Sequence, residues 1–427
     1  MRMDVTPAGD RAVLAELGDV TAAELHALAA SARRLEGVIA VIPGHSSLYV
    51  VFRSAVAKPP LFQSGGSAAA LLNRRHHLRV AFTGEDFPEF LARVRREEFE
   101  SRIRTLTLTA RYLGFRGGFA YLDGWPPEWS MPRRPTSRPV ARGTFAIAGA
   151  IAGFYPIDSP GGWNLLGRTD ASLEHALAPG DTIVIEPVAH VTPAPPAPKP
   201  ALQLDYAEVL SAPLATLVRA PDWSRVEHGI APGGPFDEFA AALANRAAGN
   251  AADAPLLECA MTGPRLRFTR DCVVSWCGQV RRVRAGEEVS FGRVTDGLRG
   301  YLAAGEREGV VAHFDRGDRR VIRAMRGPHR VEIGTIECEV TPSLDRVGIR
   351  LRPLQPLEVE IPADLKSCGM QFGTVQLHPD GSLVAMGPDH PVTGGYLQPL
   401  TVLHDERWKL AQLAPGERMR FVVQPPY

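Results

Sequence analysis

Residues 112–169 contain the amino acids of this sequence whose types and spacing best suit a binding site. Gly118, Phe119 and Tyr121 fall in one cluster, and Ser159-Pro160-Gly161-Gly162-Trp163 forms another. Glycines among aromatics indicate backbone that approaches something closely, because a Cβ would clash there. Amide N–H groups beside a flat apolar ring suit a planar small molecule with a carbonyl or anionic group. The alternative is a pair of tight turns with structural aromatics.

Two further segments could bind an anion. Arg168 follows the Gly-Gly-Trp cluster, and its guanidinium could meet a carboxylate or phosphate; a surface ion pair is the alternative. Residues 229–237 are rich in glycine and lead into a predicted helix, whose N-terminal amides would suit an anion. An ordinary loop capped by Asp237 is equally consistent with that segment.

A third set lies near the C-terminus and combines an acid, a base and a hydroxyl. Asp345-Arg346 could act on a substrate, or the two residues could form a local ion pair that adds little stability. Thr393-Gly394-Gly395-Tyr396 predicts a flexible binding surface. His378 and His390 flank a Pro-Asp-Gly turn, which favours a surface turn over a metal site.

Familiar cofactor motifs are missing from the sequence. It has no Gly-x-x-x-x-Gly-Lys-Ser/Thr loop, no Gly-x-Gly-x-x-Gly opening a helix and no Gly-x-Ser-x-Gly elbow. Any ATP would therefore bind without a Walker motif or through another protein. No histidine spacing is typical of zinc, so no metal is predicted.

The composition indicates a soluble globular protein. Among 427 residues, 48 basic and 47 acidic side chains nearly cancel, and no basic tract marks a nucleic-acid partner. Five scattered cysteines read as reduced thiols. No apolar run approaches the length that spans a membrane, and no signal peptide is evident at the start. We therefore expect a cytoplasmic protein, with homo-oligomerisation left open.

Three blocks emerge along the chain. Residues 1–77 predict a small α/β domain, with a helix capped by Thr21 and strands over 38–42 and 48–52. Residues 78–191 begin with a helix over 87–99 and continue as strands and turns. Five prolines in residues 192–200 predict a semi-rigid linker.

The last block, residues 201–427, is predicted to be mainly β with one long helix. Asp237 would cap this helix, and Phe239, Leu243 and Ala247 would share one face of it. A weak repeat links the blocks, because Leu177-Ala178-Pro179-Gly180-Asp181 recurs as Leu413-Ala414-Pro415-Gly416-Glu417. A weaker copy includes Gly286-Glu287. Each copy reads as a tight turn entering a strand, either by duplication or by reuse of a common turn.

The first half resembles a known family. Residues 9–191 resemble the allophanate hydrolase subunit 1 family, which includes the B component of ATP-dependent 5-oxoprolinase and the Kip inhibitor of a sporulation kinase. The matching residues include Gly9-Asp10-Arg11-Ala12, Pro43-Gly44-His45-Ser46-Ser47-Leu48, Gly114-Phe115, Gly118-Phe119-Ala120-Tyr121-Leu122, Ser159-Pro160-Gly161-Gly162-Trp163 and Gly167-Arg168-Thr169.

Residues 200–427 are similar to the partner family, allophanate hydrolase subunit 2, which includes the C component of 5-oxoprolinase. The matching residues include Gly229-Ile230, Asp237, Ala244-Asn245-Arg246, Thr262-Gly263-Pro264, Asp345-Arg346 and Thr393-Gly394-Gly395-Tyr396. The chain thus resembles a fusion of the B and C components, joined at the proline-rich linker.

The resemblance implies a mainly β fold, with tandem cyclophilin-like β-barrels beside the small α/β domain. It also implies a role with the separate A component of 5-oxoprolinase in the ATP-driven opening of a lactam such as 5-oxoproline. The same pair of domains occurs in the carboxyltransferase part of urea carboxylase. The chain departs from the family pattern at Gly117, where proline is usual, and at Gly233, where serine is usual. An upstream histidine and a Ser-Arg segment are also missing, which favours a non-catalytic regulatory protein as an alternative.

Under the hydrolase hypothesis, each candidate residue has an expected role. Gly161 and Gly162 would donate N–H groups to an oxyanion, and Arg168 would clamp an anion. Asp237 and Asp345 would act as acid/base or orienting groups. The expected substrate-binding residues are Gly118, Phe119, Tyr121, Ser159, Trp163, Arg346, Thr393, Gly394, Gly395 and Tyr396.

Overall fold

Short apolar runs dominate the sequence, and most of them form strands. The computed structural model describes residues 3–56, 73–174, 176–195, 201–311, 317–362 and 365–425. The predicted fold class, mainly β with tandem barrels beside a small α/β unit, is confirmed. Of the proline-rich segment, residues 192–195 adopt neither helix nor strand, and residues 196–200 lie outside the described part of the chain. The domain boundaries at 77, 191 and 200 stay a prediction.

The N-terminal unit is a four-stranded sheet with one helix. Its elements are β1 (Asp4–Pro7), β2 (Ala12–Glu16), α1 (Ala22–Ala32), β3 (Val38–Pro43) and β4 (Ser47–Phe52), with strand order β1-β2-β4-β3. Thr21 caps α1 as predicted, because its side chain accepts from the Glu24 amide while the Glu24 carboxylate accepts from the Thr21 amide.

The first barrel follows. Its strands are β5 (Arg75–Ala81), β6 (Thr107–Leu113), β7 (Ala120–Asp123), β9 (Thr144–Ala148), β10 (Ile151–Phe154), β12 (Asn164–Thr169) and β13 (Thr182–Pro187), closed in the order β10-β7-β6-β13-β5-β12-β9. A separate ribbon pairs β8 (Arg138–Val140) with β11 (Ser159–Gly161). The short 3-10 helix Pro127–Trp129 precedes β8.

The prediction of one continuous helix over residues 87–99 was wrong. The structure has two helices, α2 (Phe87–Arg93) and α3 (Arg96–Ile103), separated by an extended Val94. Phe90 and Phe99 are both buried, and their ring centroids lie 5.5 Å apart. Residues nine apart point in opposite directions on one helix, so burying both rings in one cluster requires the break.

The middle region holds two further sheets. A three-stranded sheet contains β14 (Ala207–Ser211), β17 (Arg265–Phe268) and β20 (Glu288–Ser290), and a five-stranded sheet contains β15 (Ala215–Val218), β16 (Leu256–Ala260), β18 (Cys272–Trp276), β19 (Gln279–Val283) and β21 (Arg299–Gly305). Asp237 caps α4 (Glu238–Ala247) as predicted. The buried face of α4 carries Ala241 and Ala244, whereas Phe239 is 44% exposed. The short 3-10 helix Trp223–His228 precedes α4.

The second barrel closes the chain. Its strands are β22 (Val321–Arg326), β23 (Ile336–Leu344), β24 (Gly348–Pro353), β26 (Thr374–Leu377), β27 (Leu383–Met386), β29 (Leu397–Val402) and β30 (Arg418–Gln424), in the order β22-β29-β26-β27-β24-β23-β30. A two-stranded ribbon pairs β25 (Cys368–Gly369) with β28 (Thr393–Gly394), and the 3-10 turn His404–Glu406 leads into α5 (Arg407–Gln412).

The two barrels share one topology. When β13 is aligned with β30, each of the six remaining strands of the first barrel corresponds to one strand of the second barrel, in the same order. Both strands also follow the repeated turn: Gly180 N donates to Ala110 O, as Gly416 N donates to Val340 O. The Asp181 and Glu417 carboxylates accept from the amides of Ala178 and Ala414. This correspondence favours duplication for the two barrels, although the Glu287 turn outside them has the same hydrogen bonds.

Candidate functional site

A cavity with a volume of about 760 Å³ lies between the two barrels. Both halves of the chain supply its walls. Most of the predicted site residues line it: Phe119, Tyr121, Gly161, Gly162, Trp163, Asp345, Thr393, Gly394, Gly395 and Tyr396. The structure therefore brings together segments separated by more than two hundred positions in the sequence.

Two corresponding Gly-Gly-aromatic turns line this cavity. Gly161-Gly162-Trp163 lies between β10 and β12, and Gly394-Gly395-Tyr396 lies between β27 and β29, which are equivalent strands. A Cβ on Gly161 would collide with the Tyr155 hydroxyl, and one on Gly394 would collide with Met370. The close approach of the buried Tyr155 ring requires glycine at position 161, whereas the flexible ends of Met370 and Gln376 could shift to admit a Cβ at position 394.

Aromatic rings form the wall contributed by the first barrel. The Phe119 ring lies edge-on to Tyr121, Tyr155 and Trp163, at centroid distances of 5.0, 5.3 and 5.4 Å. Burial raises the pKa of Tyr121 and of Tyr155, so both hydroxyls stay protonated at neutral pH. This wall suits a flat ligand that needs apolar contact.

The turn between β6 and β7 is anchored by hydrogen bonds to Thr393 and His228. Phe115 adopts a left-handed conformation with φ of 58°. Its amide donates to Thr393 Oγ1 at 2.8 Å, and the Gly118 amide donates to His228 O at 3.1 Å. Gly118 itself does not line the cavity; its amide helps to anchor this turn.

Polar groups form the opposite wall. Asp345 Oδ1 accepts from the amides of Val347 and Gly348, at 2.7 and 3.1 Å. The His378 ring stacks on Tyr396 at 4.1 Å, and burial lowers the pKa of His378 to about 4. His378 is therefore neutral at pH 7, and its buried Nε2 has no partner among the described residues.

One arginine of the first barrel reaches across to the second. The Arg133 guanidinium lies 4.4 Å from the centre of the Tyr396 ring and donates weakly to Gly395 O at 3.4 Å. The Ser137 and Tyr396 hydroxyls are 3.2 Å apart. These contacts tie the Gly-Gly-Tyr turn to the first half of the chain.

Two residues predicted to be catalytic lie away from the cavity. Arg168 is on β12 and donates to Arg142 O at 3.2 Å. Asp237 is fully buried, and its carboxylate accepts from the Ala240 amide at 2.9 Å and from Gln412 Nε2 at 2.8 Å. Neither side chain lines the cavity with Asp345.

Arg346 and Ser159 also lie outside the cavity lining. Arg346 does not pair with its neighbour Asp345, as one reading of the sequence suggested. It contacts Asp389 and the buried Glu258, each at 2.8 Å, and so joins the second barrel to the middle region. Ser159 is buried, and its hydroxyl donates to Ile157 O at 3.2 Å.

Sequence reasoning did not assign Arg116 or Gln376 to the site, and it placed His378 at a surface turn, although all three line the cavity. Gln376 is 3% exposed, and its Nε2 has no described partner. Arg116 lies inside the Gly-Phe motif, whose glycines and aromatic residues indicate a site but do not show which way the arginine side chain points. Gln376 lies on a strand that reads as apolar, and only the three-dimensional fold aims it at the site.

The described residues contain no group of three or more histidine, cysteine or acidic side chains that could hold a metal ion. All five cysteines are free thiols. Among the described helices none is long and apolar enough to cross a membrane.

Comparison with protein families matches nearly the whole chain. Residues 3–176 match the carboxyltransferase domain, subdomain C and D. Residues 228–315 and 311–423 match the carboxyltransferase domain, subdomain A and B. The crystal structure of TTHA0988 superposes with a TM-score of 0.82 and 25% identity, covering 97% of this chain and 100% of that one.

Curated relatives match one half or the other. The B component of 5-oxoprolinase from Escherichia coli O157:H7 is 29% identical over 42% of this chain and 93% of its own length. The C component from Haemophilus influenzae is 24% identical over 45% of this chain and 82% of its own length. A putative urea carboxylase from Emericella nidulans is 23% identical over half of this chain, but the match covers only 24% of that protein.

Some matches are local: the B component of Haemophilus influenzae, 47% identical, is matched over only 31% of its length. Between them, however, the two domain models cover the walls of the shared cavity and the strands of both barrels, apart from β13 and the last residue of β30. The chain belongs to the carboxyltransferase-domain family and joins, in one polypeptide, the halves that correspond to the B and C components of 5-oxoprolinase.

Proposed function

We propose that this chain is the fused B and C component of an ATP-dependent lactam hydrolase of the 5-oxoprolinase type, acting with a separate protein like the A component of that enzyme. The observation that carries the proposal is the cavity between the barrels, whose walls come from both halves. A volume of about 760 Å³ falls in the range of small-molecule sites.

The chemistry explains why such a site is needed. A lactam carbon is a poor electrophile, so its oxygen must accept a phosphoryl group or be stabilised as an oxyanion before water attacks. In the first case the γ-phosphoryl of ATP moves to the lactam oxygen, and ADP leaves. Water then adds to the carbon, the nitrogen takes a proton and the C–N bond breaks, which leaves an acyl phosphate. A second water hydrolyses this acyl phosphate to the carboxylate and free phosphate. A cavity that excludes bulk water and holds the ring in one orientation favours these steps.

ATP is assigned to the partner protein in this proposal. The cavity lining contains no Walker-type loop, and no described cluster of acidic side chains would bind the magnesium ion that accompanies ATP. The residues of this chain would then hold the lactam. The aromatic wall of Phe119, Tyr121 and Trp163 would contact the ring face.

The test is a reconstitution. The purified chain, its partner resembling the A component, ATP and 5-oxoproline are combined, and glutamate is measured over time. Glutamate should form only with all components present. A stable complex of the two proteins that never releases glutamate would overturn the proposal.

A matched pair of variants locates the activity. Trp163→Ala opens the cavity wall, and its rate should fall at least about tenfold. Trp276→Ala removes a similarly half-buried tryptophan that packs on Phe291 outside this cavity, and its rate should stay within about twofold of the unaltered protein. Circular dichroism establishes that both variants are folded.

A carboxyltransferase role is the second candidate. The family models carry that name, and the Emericella nidulans relative is a putative urea carboxylase. Transfer of a carboxyl group from carboxybiotin to urea, measured with labelled bicarbonate and a biotin carboxylase, would favour this function if glutamate release is absent.

A further inference from the structure

We infer that the cavity contains an anion subsite at Arg116, and therefore that its ligand carries a carboxylate or a similar anionic group. This inference rests on the proposed role of the cavity in binding a small amide. It selects the class of amide, since urea is neutral whereas 5-oxoproline carries a carboxylate beside its lactam.

The first observation is the isolation of the Arg116 guanidinium. The side chain lines the cavity, and its Nε is buried without a hydrogen-bond partner among the described residues. No described side chain forms an ion pair with it. Arg116 is half-buried, and a partly desolvated guanidinium gains from a nearby anion, because desolvation of a charge is costly when no partner replaces the water.

The nearby carboxylates do not supply that partner. Asp389 and Asp345 both lie close enough to act on Arg116 electrostatically. However, Asp389 is bound bidentately by Arg346, at 2.8 and 2.9 Å. Asp345 directs Oδ1 to the amides of Val347 and Gly348. Burial consequently outweighs both carboxylates and lowers the pKa of Arg116.

The backbone holds Arg116 in place without help from its side chain. The Phe119 amide donates to Arg116 O at 2.9 Å, and Gly229 packs against the same oxygen. Hydrogen bonds to Thr393 and His228 fix the residues on either side. The guanidinium is therefore presented to the cavity by a turn that is already ordered, which lowers the entropic cost of binding.

The remaining charges of the cavity leave it favourable to an anion. Arg350 is paired with Asp380 at 3.0 Å, so this pair contributes little net charge. Arg133 stacks on Tyr396 and has no described carboxylate partner. Two arginines thus face a single unpaired carboxylate, that of Asp345, and His378 is neutral at pH 7.

The experiment compares two rings that differ in charge. Isothermal titration calorimetry on the full chain uses 5-oxoproline and 2-pyrrolidinone, the same lactam without its carboxylate. The unaltered protein should bind 5-oxoproline more tightly. Arg116→Gln should weaken 5-oxoproline binding by about 10-fold to 100-fold and leave 2-pyrrolidinone binding unchanged. Arg116→Lys should restore part of the loss, because it keeps the charge without the planar fork.

Two further measurements guard against a structural explanation. Arg104→Gln removes an equally positive but exposed side chain of the first half and should leave both affinities unchanged. Without ligand, Arg116→Gln should unfold at a temperature about 1–3 °C higher, because an uncompensated buried charge is lost. An equal loss of affinity for both lactams, or no loss for either, would overturn the inference, as would the absence of binding by 5-oxoproline.

The outcomes also separate this inference from the proposed function. If Arg116→Gln hydrolyses 5-oxoproline with an unchanged KM, the hydrolase stands and the anion subsite fails. If binding depends on Arg116 but the reconstituted system never releases glutamate, the subsite stands and the hydrolase fails.

Discussion

Thr393 binds Phe115 across the junction of the two barrels: its Oγ1 accepts the Phe115 amide at 2.8 Å. The same oxygen lies 3.4 Å from the Tyr121 hydroxyl, and a Cβ on Gly114 would collide with it. One threonine hydroxyl therefore meets the backbone, a cavity side chain and a glycine of the opposite half.

Replacing Thr393 by valine should weaken this junction. The change preserves shape but leaves the partly buried Phe115 amide without its acceptor, which should cost about 1–2 kcal/mol of unfolding free energy. Urea denaturation measures the loss. Thr216→Val, at an exposed position on β15, is the control and should change stability by less than about 0.5 kcal/mol. Equal stabilities for the two variants would contradict the role given to Thr393.

Glu258 should be one of the most sensitive positions in the second half. Its buried carboxylate accepts from the Phe236 amide, the Tyr301 hydroxyl and Arg346, at 2.7, 2.9 and 2.8 Å. Arg346 would keep Asp389 as a partner. Buried Arg299, whose Nε lies 3.5 Å from the Glu258 carboxylate, would lose this counter-charge, so Glu258→Gln should cost about 3–5 kcal/mol.

The control for this prediction is Glu288→Gln. Glu288 pairs with Arg265 and Arg267 on the surface, where an ion pair contributes about 0–1 kcal/mol. Chemical denaturation of both variants under one set of conditions gives the comparison. A loss at Glu258 no larger than the loss at Glu288 would show that the buried network is not stabilising.

Asp237 is expected to matter for stability and not for binding. Asp237→Ala removes the cap of α4 and should destabilise the protein by about 0.5–2 kcal/mol, whereas Asp237→Ser keeps a capping oxygen and should lose less. Neither change should alter lactam affinity, because Asp237 does not line the cavity. A stable Asp237→Ser protein that binds 5-oxoproline normally but fails to release glutamate would instead support a catalytic role for this residue.

Acid should destabilise the fold through buried histidines. Burial lowers the pKa of His329, His378 and His390 from 6.5 to about 4. The unfolded chain therefore binds more protons than the folded one between pH 6.5 and 4, and the unfolding free energy should fall as pH decreases through that window. Each histidine contributes a slope of up to about 1.4 kcal/mol per pH unit.

His329→Asn tests one of these contributions. His329 Nδ1 accepts from the Gln398 amide at 2.8 Å, and the asparagine oxygen can replace that acceptor. Urea denaturation at several pH values should show a shallower decline than in the unaltered protein. Parallel curves for the two proteins between pH 6.5 and 4 would contradict the assignment.

The fold was predictable where a short sequence pattern, such as a Gly-acid turn, adopts the same local structure wherever it occurs. The Gly-acid turns before β13 and β30 were visible as a repeat, and both adopt the same hydrogen bonds. The division of α2 from α3 was not predictable, because it follows from packing Phe90 and Phe99 into the same aromatic cluster. Periodicity alone contains no information on that cluster.

The site was predictable from its backbone more than from its charges. Glycine next to an aromatic residue identified both Gly-Gly turns, and at Gly161 the close approach of the Tyr155 ring explains the glycine. Charged side chains gave weaker signals: Arg168 and Asp237 serve local structure, whereas Arg116 faces the cavity. Which way a charged side chain points depends on the relative placement of two barrels, and no short motif encodes that placement.

A cavity with walls from two barrels has a consequence for how this protein operates in a cell. If the barrels were separate chains, the fraction of complete cavities would depend on the concentration and dissociation constant of each pair. Because one polypeptide carries both walls, closure of the cavity is an intramolecular event with a fixed one-to-one ratio. Dilution, or unequal synthesis of two separate chains, therefore cannot separate the aromatic wall from the polar one.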